Sequence, residues 1–85
     1  MSLSGCIGAP VQEMSNARQA IRAAQKAGAE QHAPTVFAEA QQLLEQAKGN
    51  LQHGEYRGAR EQAEGARAKA HEARRLAEEA TQTKP

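Results

Sequence analysis

The chain has 85 residues and a net charge of +1, its eleven basic and ten acidic residues being well mixed. That is the length of one small domain, and the absence of a basic patch interleaved with aromatics argues against nucleic acid as the main partner. One cysteine excludes an internal disulfide and a cysteine-rich metal site, and no apolar run approaches the length of a membrane-spanning helix.

Residues 1–9 have no helical period and carry Gly5 and Gly8, so they read as an irregular segment. Within it, Leu3-Ser4-Gly5-Cys6 resembles a bacterial lipobox, in which an aliphatic residue and two small ones precede the cysteine that is lipidated. No charged region and no apolar stretch stands before Cys6. The expectation is therefore a natural precursor that continues upstream. The competing reading of Cys6 is a free thiol in an irregular tail.

An all-α, alanine-rich, up-down-up three-helix bundle is predicted over residues 10–80. The first helix spans 10–28. Pro10 suits a first turn, Val11, Met14, Ala17, Ile21 and Ala24 form one stripe at steps of three and four, and Gly28 is a natural stop. Residues 29–33 are read as a connection. The second helix, 34–53, opens on Pro34 and carries Phe37, Ala40, Leu44, Ala47 and Leu51 on one stripe, widened by Val36 and Leu43. As the most hydrophobic element it is expected at the centre of the bundle, with Phe37, Leu44 and Leu51 as its key core residues. Gly54 ends it. Only Gly54 and Glu55 separate it from Tyr56, which predicts an antiparallel hairpin.

The third helix, 55–80, organises the rest. Ala59, Ala63, Ala66, Ala70, Ala73, Ala77 and Ala80 are spaced four, three, four, three, four and three apart, a heptad seam of the coiled-coil kind built almost entirely of alanine. Alanine buries little area, so such a seam needs close approach by other helices. Gly58 and Gly65, seven apart, either widen that close contact or lie on a solvated face. Arg57–Glu61, Arg60–Glu64, Arg74–Glu78 and Arg75–Glu79 stand at helical spacing for surface ion pairs. Residues 81–85 are expected to fray.

The large apolar set, which includes Val11, Met14, Ile21, Phe37, Leu44, Leu51 and Leu76, is short, and nineteen residues are alanine. A lone chain is expected to be marginally stable. The third helix, about 26 residues and near 39 Å at 1.5 Å per residue, is expected to outrun the second beyond Arg74. That would leave Leu76, Ala77 and Ala80 as an uncovered overhang, a natural site for self-association through a two-fold interface.

Chemistry is sparse. His32, His53 and His71 are the candidates for general base or metal ligand, and none lies three or four residues from another histidine. Ser2, Ser4 and Ser15 have no nucleophile motif around them. The glycines form no phosphate loop, and Glu39 and Glu45 have no apolar pocket beside them in the sequence. The expectation is a non-enzyme with no catalytic, cofactor-binding or metal residues and no cofactor.

The run Ala24, Gly28-Ala29, Ala33-Pro34, Ala40, Leu44, Ala47, Leu51, Gly54-Glu55-Tyr56, Ala59, Ala63, Ala66 resembles the alanine-rich helical domain of unknown function 4398, over roughly residues 12–80. That resemblance implies a helical domain of Gram-negative envelope lipoproteins, in some members followed by an OmpA-like domain. Residues Phe37 to Ala70 also resemble a single tetratricopeptide-type hairpin, although the expected aromatic packing residues are mostly missing.

Two functions follow as expectations. The first is a structural or interaction protein of the cell envelope, held at the membrane by a lipid on Cys6 and projecting into the periplasm. No Asp follows Cys6, which favours the outer membrane, and a homo-oligomer or an envelope protein would be its partner. The alternative is a cytosolic, tetratricopeptide-like protein-interaction adaptor.

Overall fold

The computed structural model describes residues 8–82. The fold is all-helical, with four helices and no strand among the described residues: α1 Val11–Lys26, α2 Ala29–His32, α3 Pro34–Gln52 and α4 Tyr56–Gln82. The segment predicted as a bare connection thus contains a helical turn of its own. Thr81 and Gln82, expected to fray, continue α4; residues 83–85 lie outside the described residues, as does most of the 1–9 segment.

Local sequence explains the breaks. Gly28 and Gly54 adopt φ of +90° and +75°, a left-handed conformation in which an L side chain crowds its own backbone. Each sits between two helices and reverses or redirects the chain. Pro34 occupies the first turn of α3, where its missing N–H costs nothing.

α3 and α4 run antiparallel. Glu39 pairs with Lys69 Nζ at 3.2 Å, and Asn50 Nδ2 donates to Gln62 Oε1 at 2.6 Å. The remaining partners keep the same register: a Cβ added to Gly65 would stand 3.4 Å from Leu43 Cδ1, and one added to Gly58 would stand 3.2 Å from Asn50 Nδ2. Both glycines of α4 therefore face α3, as the close-contact reading requires. α1 runs parallel to α4, tied at its start by Arg60 Nη1 donating to Glu13 Oε2 at 2.6 Å.

The expected centre of the bundle is corrected. α4, not α3, is the element against which both other long helices pack, while α1 and α3 touch each other much less. Ala59, Ala63, Ala66, Ala70, Ala73 and Ala77 are all 0% exposed. Six methyl groups let two neighbouring helices approach one axis at once. Leucine at those sites would hold them apart. The large side chains come from the flanks: Met14 of α1 and Phe37 of α3 are each 2% exposed. Leu44 and Leu51, expected in the centre, are only half-buried and pack against the core from its edge.

The core has two parts. Met14, Ala17, Ala47, Ala63 and Ala66 fill the end near the α3–α4 turn. Ile21, Ala24, Ala29, Ala33, Phe37, Ala40, Ala70, Ala73 and Ala77 fill the other. The second part overturns the expected overhang. In the antiparallel register α2 stands level with Ala77, and α2 packs on α4. Ala29 is fully buried and Ala33 nearly so, in one cluster with Ala77, and Leu76 packs against it half-buried. Leu76 and Ala77 thus have intramolecular neighbours, supplied by the short helix α2. Ala80 is exposed.

Candidate interaction surface

The described surface is dominated by exposed polar side chains, and no buried side-chain polar atom lacks a hydrogen-bond partner among the described residues. Two adjoining hollows lie along the parallel seam of α1 and α4. One hollow of about 240 Å³ is lined by Glu13, Asn16, Glu64 and Arg67. A second, of about 220 Å³, is lined by Gln19, Ala23, His71 and Arg74, and shares Asn16 and Arg67 with the first. Together they form one trough.

The trough arises from helix geometry. Met14, Ala17, Ile21 and Ala24 point α1's apolar stripe at the core, so Glu13, Asn16, Gln19 and Ala23 flank that stripe on one side. On α4 the positions beside the alanine seam, Glu64, Arg67, His71 and Arg74, flank it in the same way. The trough changes sign along its length. Glu13 and Glu64 stand at the end near the start of both helices, with Glu13 held by Arg60; Arg67, His71 and Arg74 follow, with Arg74 Nε donating to Glu78 Oε2 at 2.9 Å. Such a surface can hold polar or charged groups of a partner. The flanking pattern was present in the sequence, but nothing there says that α1 and α4 are neighbours.

The three histidines are not brought together. His32 is exposed at the end of α2 and His53 is exposed at the far end of α3, its Nδ1 2.8 Å from the Gly49 carbonyl oxygen. His71 lines the trough. No group of three or more His, Cys, Asp or Glu among the described residues is placed to hold a metal ion. Glu45 pairs with Lys48 at 3.1 Å and Glu39 with Lys69, both at the surface. Ser15 accepts from Gln19 Nε2 at 3.3 Å. Of the expected ion pairs on α4, Arg74–Glu78 and Arg75–Glu79 form, each at 2.9 Å, whereas Arg60 turns away from Glu64 to Glu13. Cys6 lies outside the described residues. No helix among the described residues is long and apolar enough to cross a membrane.

A family model described as a domain of unknown function, DUF4398, matches residues 12–84. No curated protein and no solved structure matches the chain.

Proposed function

Because the chain belongs to the DUF4398 family, a domain of unknown function, we propose that it is a non-enzymatic structural or interaction protein of the bacterial envelope. Its anchor is a lipid on Cys6. One observation carries this reading. The family match begins at residue 12, only six positions after the cysteine of Leu3-Ser4-Gly5-Cys6, so the lipobox-like motif stands where the helical domain would need its tether. The absence of Asp after Cys6 favours the outer membrane, with the domain in the periplasm.

In this reading the three long helices form an up-down-up bundle. The polar trough between α1 and α4 is the face offered to another envelope component or to a second copy. Two or more acyl chains on Cys6 would hold the domain stably, where one would hold it only marginally. The test is expression from the complete gene, followed by mass spectrometry of the N-terminal peptide and membrane fractionation, with Cys6→Ala as the comparison. Acylated Cys6 and loss of membrane attachment in Cys6→Ala are the expected results. An unmodified Cys6 in the mature protein rejects the anchor.

A further inference from the structure

Two large apolar side chains stand out as exposed among the described residues: Val11, 70% exposed, and Tyr56, 39% exposed. They belong to different helices, yet they lie at the same end of the molecule. Arg60 fixes this. Its guanidinium bonds Glu13, two residues after Val11, and also reaches the Gly8 carbonyl oxygen at 3.5 Å. Tyr56 is one helical turn before Arg60 on α4. Val11 and Tyr56 therefore flank the point at which the N-terminal segment enters the fold, beside the α3–α4 turn at Gly54.

Covalent geometry ties this end to Cys6. Pro10 is buried, so the chain is held by the fold from there onward. Four residue steps separate Cys6 from Pro10, and a fully extended chain covers at most about 3.6 Å per residue, about 14 Å in all. An acyl group on Cys6 would thus hold this end within about 14 Å of the bilayer, a limit it sets on no other part of the fold. The opposite end, at α2, is a further 19 residues of α3 away, about 28 Å at 1.5 Å per residue.

We propose that this end of the bundle, through Val11 and Tyr56, docks on the headgroup layer of the lipid bilayer. The inference rests on the Cys6 anchor proposed above. The chemistry fits a lipid interface better than a charged partner. Tyrosine has an apolar ring and a polar hydroxyl and is enriched at the headgroup level. The charges around it, Glu55 and Arg57, are of opposite sign and exposed, so they neither attract nor repel an anionic surface strongly. Docking would orient the helices along the membrane normal and keep the α1–α4 trough clear of the lipid.

The chain carries its own probe for this. It has one tyrosine and no tryptophan, so its tyrosine fluorescence reports Tyr56 alone, and its one cysteine gives a unique attachment point. The full chain is coupled through the Cys6 thiol to maleimide-bearing phospholipid in phosphatidylethanolamine–phosphatidylglycerol vesicles. The acyl chains are brominated in one sample and plain in the other. Tyr56 fluorescence is expected to lose most of its intensity in the brominated vesicles. The double variant Tyr56→Phe, Gln31→Tyr places the fluorophore on exposed α2 and is expected to lose almost none, with circular dichroism confirming an unchanged fold. Equal quenching of both proteins would mean that the bundle lies on its side, and quenching of neither would mean that it stands clear of the lipid; either result overturns the docking. Because the lipid is attached chemically, the outcome is independent of whether Cys6 is acylated in the cell, which mass spectrometry decides separately.

Discussion

Arg60 Nη1 stands 2.6 Å from Glu13 Oε2, joining α4 to α1 across 47 positions of sequence. Both side chains are partly withdrawn from solvent, 35% and 25% exposed. Partial burial and short geometry raise the pair above an ordinary surface contact, which contributes roughly 0.2–1 kcal/mol. Arg60→Ala and Glu13→Ala are each expected to cost about 1 kcal/mol, and the double variant to cost less than their sum. Urea denaturation at low and high salt measures this. Strict additivity, or no dependence on salt, would show that the pair contributes nothing as a pair.

The core ranks side chains differently from their hydrophobicity. Met14→Ala and Phe37→Ala each remove a large side chain that is only 2% exposed, at an expected cost of about 2–5 kcal/mol each. Leu44 and Leu51 are half-buried, so Leu44→Ala and Leu51→Ala should cost distinctly less. Chemical denaturation of the four variants gives the order. A Leu51→Ala loss as large as that of Phe37→Ala would contradict the packing described.

The alanine seam is predicted to be intolerant of size. Ala66 is 0% exposed, packed between helices on two sides, and Ala66→Leu is expected to destabilise by about 1–3 kcal/mol through overpacking. Ala68 is exposed on the same helix, and Ala68→Leu should stay within about 0.5 kcal/mol of the parent. Melting temperatures that fall equally in the two variants would mean that the helices do not approach α4 as closely as described.

Glycine substitutions separate backbone strain from space. A Cβ on Gly49 meets nothing within 4 Å, and Gly49→Ala should stabilise α3 by up to about 1 kcal/mol. Gly54 has equally open surroundings but a φ of +75°, so Gly54→Ala should destabilise by about 1–2 kcal/mol. Gly58→Ala gains the same helix propensity but pushes on Asn50 at 3.2 Å, which is itself bonded to Gln62. Its net effect should fall below that of Gly49→Ala. Thermal melts that order the three otherwise would count against the α3–α4 contact.

Much of the fold was legible because its signals are local. Steps of three and four put seven alanines on one face of α4; the six from Ala59 to Ala77 are buried, and Ala80, at the end of the seam, is exposed. Gly28 and Gly54 mark turns because they adopt a backbone conformation that other residues resist. Family membership was legible for the same reason, in the spacing of Ala, Leu and Gly along residues 12–80. Within α2 the signal was too short: four residues carry too little periodicity to distinguish a helical turn from a connection.

Tertiary structure decided what periodicity does not encode, namely which stripes face each other and at what height. A stripe gives the inner face of a helix and not the identity of its neighbour. Hydrophobicity pointed to the leucine-bearing α3 as the centre, but the central place went to α4, because small side chains admit two neighbours where large ones admit fewer. The same long-range register set α2 over Ala77, aimed Arg60 at Glu13 instead of Glu64, and gathered Val11 and Tyr56 at the end where the chain enters the fold. Each of these depends on residues tens of positions apart being brought together, and only the packed helices bring them together.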